Sequence, residues 1–289
     1  MHLPYKIVFG YILLLFYLGC RPTVSTPVKL HKRIILGRPC KQTEARYHVG
    51  LCKNPCTEKS HVFCGGSLIS PKWVLSAAHC DDPAKSDLKV VLGTQDLSKP
   101  SSWKILSGKA IKNDKYDRAT LDSDIMLVEL EEAVTPDGDT IEVISLPTGC
   151  DVNNLPPVEL QCLLSGWGVY GWTVPNVALG LHNEPIYPDH LDCVDLHRAD
   201  CSEDSILPVT VNKFCAGSLG ESFNCGDFGG GLQCVHDGRK ELYGIASSFR
   251  VSSRAITTTD PSHPPKFTKV CHYMDWIKEN VPELKDSGK

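Results

Sequence analysis

Short runs of apolar and β-branched residues recur along most of the chain, and glycine, proline, asparagine and aspartate separate them. Clear examples lie at residues 73–75, 88–93, 124–130, 160–164 and 242–246. Many short runs divided by turn-forming residues predict strands, and the pattern is typical of an all-β sandwich or barrel. Only the end of the chain has a helical pattern. Its apolar residues are spaced i, i+3, i+4 and i+7, at Val270, Tyr273, Met274 and Ile277. We therefore expect one helix near the C-terminus.

The N-terminus has a different pattern. Lys6 is followed by an unbroken apolar run at 7–18, which ends before Gly19-Cys20. Twelve residues are too few to cross a bilayer, whereas a basic start, a short apolar core and a small residue at the end are typical of a secretory signal. We predict a signal peptide at 1–20 and no membrane span. A buried strand, an uncleaved anchor and a lipid-modified Cys20 are the alternatives for this segment.

A polar segment with proline and threonine follows at 21–33 and closes with Lys32-Arg33. The apolar residues Ile34-Ile35-Leu36-Gly37 come directly after this basic pair. The arrangement predicts a pro-segment that is removed by cleavage after Arg33. Residues 34–289 contain no internal repeat and no low-complexity linker, so we expect one domain there.

Composition narrows the class of protein. The chain has 289 residues, a formal net charge of −4, 42% hydrophobic residues and 22% charged residues, as an ordinary globular protein has. Residues 1–33 hold five basic residues and no acid, so the remainder is more acidic than the whole. An acidic protein does not favour nucleic acids or anionic membranes as partners. Fourteen cysteines are too many for a reducing cytosol, and together with the signal peptide they predict a secreted, disulfide-bonded protein.

Six short strings occur in the same order as in a known family. They are 64–69 with 73–80 (CGGSLI and WVLSAAHC), 124–127 (DIML), 165–168 (SGWG), 214–217 (FCAG), 225–230 (CGDFGG) and 273–277 (YMDWI). On these strings the chain resembles the trypsin/chymotrypsin family over essentially all of 34–280. The resemblance implies an all-β fold of two packed antiparallel six-stranded β-barrels with a C-terminal α-helix. It also implies an active site in the cleft between the barrels.

In that family a serine attacks the substrate, a histidine takes its proton, an aspartate orients the histidine, and backbone N–H groups hold the oxyanion. Mapped onto this sequence, the histidine is His79 and the aspartate is Asp124. The family string Gly-Asp-Ser-Gly-Gly-Pro reads Gly226-Asp227-Phe228-Gly229-Gly230-Gly231 here, so phenylalanine occupies the position of the nucleophile. A benzyl side chain has neither an oxygen to attack a carbonyl nor a proton for His79 to remove. The expectation is a protein that is not an enzyme.

The expected substrate groove also departs from the family. The family's Ser-Trp-Gly edge reads Ser247-Ser248-Phe249 here, so an apolar floor is lost and a ring is expected to block the mouth of the specificity pocket. The base of that pocket falls at Ser222 or Phe223. Neither residue supplies the carboxylate that a preference for lysine or arginine would need.

The residues of the family's maturation switch are in place. The resemblance implies that cleavage after Arg33 frees the ammonium group of Ile34, which pairs with Asp227 and orders the oxyanion loop at Gly226 and Asp227. Such a switch could order a binding surface without catalysis. The alternative is that Asp227 persists only because the loop packs around it.

The resemblance assigns eight of the cysteines to four disulfide bonds. The implied pairs are Cys64–Cys80, Cys150–Cys271, Cys162–Cys234 and Cys193–Cys215. Of the others, Cys52 could pair with Cys56 and Cys201 with Cys225, which leaves Cys40 odd and available for a disulfide-linked oligomer. The cysteines lack the paired Cys-x-x-Cys spacing of zinc sites, and the loop after Gly93 lacks carboxylates for calcium. We expect no metal and no cofactor.

These observations predict a secreted serine-protease homologue that acts by binding a protein, as a cofactor, decoy, toxin or defence factor, instead of by hydrolysing peptide bonds. Two alternatives stay open. One is a hydrolase in which Cys225 or Ser222 replaces the missing nucleophile and works with His79. The other is a disulfide-linked structural or carrier subunit, which rests only on the odd cysteine.

Overall fold

The structure is a computed structural model, and it describes residues 37–81, 87–148, 150, 155–169, 171–172, 184–201, 209–217, 226–249 and 263–285. Several residues singled out by the sequence lie outside these ranges: the signal peptide 1–20, the pro-segment 21–33, Arg33, Ile34, Ser222, Phe223 and Cys225. What the sequence predicts for them stays a prediction.

The described residues form sixteen strands, most of them short. In chain order they are β1 (Arg38–Pro39), β2 (His48–Lys53), β3 (Val62–Ser70), β4 (Trp73–Ser76), β5 (Leu88–Leu92), β6 (Lys104–Lys112), β7 (Met126–Leu130), β8 (Cys162–Gly166), β9 (Gly171–Trp172), β10 (Pro185–Ile186), β11 (Asp192–Leu196), β12 (Arg198–Ala199), β13 (Lys213–Ala216), β14 (Gly231–His236), β15 (Arg239–Ser248) and β16 (Lys266–Lys269). Each run that the sequence predicts as a strand overlaps one of these elements.

Six strands in the first half of the domain close into a barrel. Their order is β2-β3-β4-β7-β6-β5, and all neighbours are antiparallel, with β5 returning to β2. Leu51, Leu75, Val90 and Leu127 are almost completely buried inside it. Burying an aliphatic side chain of this size stabilises a fold by about 1.5–3 kcal/mol, so apolar packing holds the barrel together.

The second half of the domain is an eight-stranded sheet of order β1-β11-β8-β14-β15-β16-β13-β12, beside a two-stranded pair of β9 and β10. Within the described ranges this sheet is open, whereas the first barrel is closed. The expected all-β class is confirmed, with one closed six-stranded barrel and one half-barrel sheet where two six-stranded barrels were expected.

The helices of the described ranges are short. Single 3₁₀ turns lie at Lys59–His61, Ala78–Cys80, Pro100–Ser102, Cys271–Tyr273 and Pro282–Leu284. The α-helix α1 (Met274–Asn280) continues from one of these turns near the end of the chain and buries Ile277. The predicted C-terminal helix is therefore present, although its first turn is 3₁₀. No helix of the described ranges combines the length and the apolar character needed to cross a bilayer.

Six disulfide bonds join described cysteines. They are Cys40–Cys193, Cys52–Cys56, Cys64–Cys80, Cys150–Cys271, Cys162–Cys234 and Cys201–Cys215. Three of them join pairs implied by the resemblance, and Cys52–Cys56 is the local pair suggested by spacing.

The expected pairing of Cys193 with Cys215 is wrong, and so are the suggestions made for Cys201 and Cys40. β1 pairs with β11 in a register that sets Arg38 opposite Cys193, so Cys40 comes within 4.9 Å (Cα to Cα) of Cys193. β12 pairs with β13, which brings Cys201 to Cys215 with Cα atoms 5.3 Å apart. The sulfur of Cys40 is already bonded within the chain, so it does not link two chains.

Candidate functional site

The imidazole of His79 and the carboxylate of Asp124 meet at one edge of the closed barrel. His79 lies in the 3₁₀ turn after β4, and Asp124 lies just before β7. The two strands pair with Ser76 opposite Met126, so the sequence places both side chains at the same end of adjacent strands. The His79 backbone N–H donates to Asp124 Oδ1 at 2.9 Å, and His79 Nδ1 lies 2.8 Å from Asp124 Oδ2.

Asp124 is a buried carboxylate held in its ionised form. Its side chain has 0% exposure. Burial alone raises the pKa of Asp124. His79, the hydroxyl of Ser247 and the ammonium of Lys213 lower it by more than burial raises it, so the pKa lies below its usual value. An ionised carboxylate can only accept hydrogen bonds, so Nδ1 of His79 carries the proton that the two groups share. The other ring nitrogen, Nε2, takes no part in this pair, and the side chain of His79 is 20% exposed.

Ser247 and Thr268 hold Asp124 from the side of the open sheet. Ser247 Oγ donates to Asp124 Oδ2 at 2.5 Å, and Thr268 Oγ1 donates to the Asp124 backbone oxygen at 3.0 Å. Ser247 is the last but one residue of β15, and Thr268 is in β16. The carboxylate is therefore fixed by groups from both halves of the domain.

Phe228 lies in a turn at 226–230 that both halves of the domain anchor. The Gly65 N–H of β3 donates to the Phe228 backbone oxygen at 2.7 Å, and the Gly229 N–H donates to Ala246 of β15 at 2.8 Å. Gly229 has φ of +79°, and a Cβ there would lie 2.5 Å from the Gly65 oxygen. Only glycine fits that position.

Two phenylalanine rings lie beside His79, and one of them contacts it. Phe228 meets His79 edge to face, with ring centroids 5.0 Å apart and planes at 86°. Phe249 stacks on the other side of Phe228, with centroids 5.3 Å apart and planes at 19°. A third residue of the expected groove, Ser248, is 5% exposed, and its Oγ has no hydrogen-bond partner in the structure. Of the residues predicted to form the groove, Ser247 contacts Asp124 and Phe249 contacts Phe228.

Comparison with known proteins places this geometry in a family. A family model described as Trypsin matches residues 34–277. Trypsin I-P1 of chicken (Gallus gallus) is 34% identical over 280 residues, which cover 94% of this chain and 98% of the chicken protein. The chain belongs to the trypsin family. Anionic trypsin of dog (Canis lupus familiaris) is 34% identical over 277 residues, covering 93% of this chain and 97% of that protein. Serine protease 1 of rat (Rattus norvegicus) is 33% identical over 265 residues, with 89% and 94% covered.

The names of these trypsin-family relatives contradict one expectation. Phe228 led to the expectation that the chain is not an enzyme, but the proteins it resembles along most of their length are named as trypsins or as a serine protease. That expectation is wrong, because the chain belongs to the trypsin family and the relatives that it matches are named as proteases. What Phe228 does limit is the chemistry of its own position, since the side chain carries no hydroxyl. Of the replacement nucleophiles considered from the sequence, Cys225 and Ser222 lie outside the described residues.

Asp227 packs against two glycines, the last residue of β8 and the second residue after it. The Gly168 N–H donates to Asp227 Oδ1 at 2.7 Å, and Asp227 has 0% exposure. A Cβ on Gly166 or Gly168 would overlap the Asp227 carboxylate, so both glycines are needed for the approach. The trypsin-family expectation that Asp227 pairs with the ammonium of Ile34 stays a prediction, because Ile34 lies outside the described ranges.

The sequence analysis did not identify Lys213, whose ammonium group contacts Ser247, the residue that donates to Asp124. Lys213 is in β13 and is 5% exposed, and its Nζ donates to Ser247 Oγ at 3.2 Å. Burial lowers the pKa of Lys213, Asp124 and Asp122 oppose that effect, and Lys266 adds to it. A lysine inside an otherwise apolar strand, 213–216, is the only sequence signal that could have pointed to it.

One set of ligand-type side chains in the described part of the chain also includes His79. The ligand atoms of Cys64, His79 and Cys80 lie within 4.8 Å of one another. Cys64 and Cys80 are bonded to each other, so neither presents a thiolate, which is the form of cysteine that binds metals. The disulfide form of the site therefore offers a metal only the imidazole.

Proposed function

We propose that this trypsin-family chain functions by binding a protein partner in the cleft formed by His79, Phe228 and Phe249. The observation that carries the proposal is the pair of stacked rings in the cleft, with Phe228 at the position that holds serine in the family string. Aromatic side chains are enriched at the centres of protein interfaces because they bury a large area with few rotatable bonds. The rings are half-buried and lie beside the exposed edge of His79, so a partner segment can pack on them.

The backbone and the ring of Phe228 are both held in place by neighbouring groups. Hydrogen bonds from Gly65 and to Ala246 hold its backbone, and Phe249 and His79 hold the ring on two sides. A preorganised side chain loses little conformational entropy when a partner binds, which raises affinity. The proposal extends to maturation: release of the signal peptide at 1–20 and cleavage after Arg33 would precede binding. The disulfide bonds fit the oxidising environment of a secreted protein.

The experiment uses paired baits and matched variants. Full-length chain and chain cleaved after Arg33 are immobilised and exposed to extracellular fluid, and retained proteins are quantified by mass spectrometry. The test variant is Phe228→Ala with Phe249→Ala, and the control is Val235→Thr, which changes an exposed residue of β14. We expect a saturable protein that the wild type and the control retain and that the double variant loses by at least about tenfold, as interface hot spots do.

Two results would overturn the proposal. One is a retained protein that binds the double variant as well as it binds the wild type, because the cleft would then not be the binding surface. The other is a retained protein that Val235→Thr loses as strongly as the double variant does, because the loss would then not be specific to the two rings.

A further inference from the structure

Lys213 is a buried cation with a specific partner. It lies in β13 opposite Thr268 of β16, on the same face of the sheet as Lys266, which is opposite Cys215. Its ammonium group donates a hydrogen bond from Nζ to Ser247 Oγ at 3.2 Å. An ammonium group that leaves water without compensation costs several kcal/mol, so a lysine in this setting requires a nearby negative charge.

The hydroxyl of Ser247 connects that ammonium to Asp124. Ser247 has one hydroxyl proton, and the 2.5 Å contact to Asp124 Oδ2 shows where it is donated. The lone pairs of Ser247 Oγ are then free to accept from Lys213. Hydrogen bonds thus run from Lys213 to Ser247 to Asp124, and His79 donates to the same carboxylate oxygen, Oδ2.

Other charged and titratable groups of the described residues also surround this set. Asp122 attracts the ammonium of Lys213 and Lys266 repels it, and Asp122 Oδ1 accepts a hydrogen bond from Asn212 at 2.7 Å. Tyr116 and Tyr273 face the Asp124 carboxylate, and burial raises the pKa of both phenols, so they stay neutral. Asp124 is therefore a fully buried carboxylate with two basic groups near it. His79 donates to the carboxylate directly, and Lys213 is connected to it through Ser247.

We infer that Lys213 is the resident counter-ion of Asp124 and acts as a positioning residue for His79. With Lys213 charged, the Asp124 carboxylate is compensated while the imidazole is neutral, and Asp124 holds the tautomer with its proton on Nδ1. The ring then presents the lone pair of Nε2 to the cleft. This role does not depend on what the cleft binds, so it can fail or hold independently of the proposed function.

The test measures the protonation of His79 directly. The full chain is labelled with ¹⁵N-histidine, and long-range ¹H–¹⁵N spectra give the ratio of neutral to protonated His79 ring near pH 6, with the signal assigned from His79→Gln. Lys213→Met removes the cation, Lys213→Arg keeps it, and Lys266→Met is the matched control for a second buried lysine on the same face.

We expect the neutral-to-protonated ratio to fall about threefold to tenfold in Lys213→Met, because an uncompensated carboxylate favours the charged ring. Lys213→Arg and Lys266→Met should stay within about twofold of the wild type, which is less than the change expected from loss of an adjacent opposite charge. An unchanged ratio in folded Lys213→Met would overturn the inference, because a lysine with only a packing role would not alter the ring's protonation.

A reciprocal measurement covers the case in which Lys213→Met does not fold. In ¹⁵N-lysine-labelled chain, Asp124→Asn removes the carboxylate, and the Lys213 signal should then show deprotonation about one pH unit lower than in the wild type or more. Equal titration of Lys213 in the two proteins would equally overturn the inference.

Discussion

Acidification below pH 6.5 should destabilise this protein through one buried histidine, His48. The ring of His48 is 3% exposed, Nδ1 lies 3.1 Å from Ser165 Oγ, and Trp167 packs edge-on with ring centroids 5.0 Å apart. On another side, a Cβ on Gly65 would lie only 2.8 Å from His48 Cε1, so the site has no room for water beside that atom. Burial lowers the pKa of His48 from 6.5 to about 3.

The sign and the size of the effect follow from these two values. The folded chain keeps His48 neutral down to about pH 3, whereas the unfolded chain protonates it below about pH 6.5. The unfolded state thus binds more protons in this window, so stability is complete above pH 6.5 and is lost as the pH falls towards 3. Each pH unit inside the window costs about 1.4 kcal/mol, which gives about 2 kcal/mol between pH 7.5 and pH 5.

The assay is chemical unfolding of the disulfide-bonded protein at pH 7.5 and pH 5, for the wild type and for His48→Gln. Glutamine can still bond to Ser165 but does not titrate, so other acids and histidines contribute equally to both proteins. The wild type should lose about 2 kcal/mol more than the variant over this range, a roughly 30-fold change in the unfolding constant. Equal losses in the two proteins would refute the reasoning.

Three further changes test other parts of the structure. Phe228→Ser should be labelled by a serine-directed phosphonate at least about tenfold faster than the wild type, because it returns a hydroxyl beside the His79–Asp124 pair; no labelling would show that the turn misplaces that hydroxyl. Cys40→Ser should lower the free energy of unfolding by about 2–5 kcal/mol, because it removes the Cys40–Cys193 bond. The wild type should run as a monomer on non-reducing gels, and a wild-type dimer that is absent in the variant would contradict that bond. Gly229→Ala should cost roughly 3 kcal/mol or more in thermal unfolding, against about 1 kcal/mol for Gly138→Ala, because both glycines have positive φ but only Gly229 has atoms in the place of a Cβ; equal costs would contradict the overlap.

Strands and the terminal helix could be predicted because their signal is local. The run at 73–75 becomes β4, and the run at 242–246 lies inside β15. The run at 124–130 predicts too long a strand, since β7 starts only at Met126. Asp124 instead turns its carboxylate to the backbone N–H of His79, a tertiary contact that propensity does not encode.

Disulfide partners could not all be predicted, because strand register decides them. Cys40 and Cys193 meet only because β1 pairs with β11, and Cys201 and Cys215 meet only because β12 pairs with β13. A one-residue change of register would turn the side chains to the opposite face of the sheet. Cysteine spacing along the chain carries no information about that pairing.

The site also contains residues that local sequence identifies and one residue that it does not. His79, Asp124 and Phe228 are recognised because they sit in contiguous strings, and a ring at Phe249 was expected at the groove. The burial of Lys213 could not be expected from the sequence, because lysine is almost always exposed unless an opposite charge pairs with it. Its compensating groups, Ser247 and Asp124, come from distant parts of the chain.

The turn at 226–230 has a mechanical consequence. One of its hydrogen bonds is made with Gly65 in the closed barrel and another with Ala246 in the open sheet. The backbone of the turn therefore connects the barrel to the sheet. Any rotation of the barrel against the sheet has to shear these two bonds and move Phe228. A ligand that contacts Phe228 would therefore be coupled to the relative motion of the barrel and the sheet.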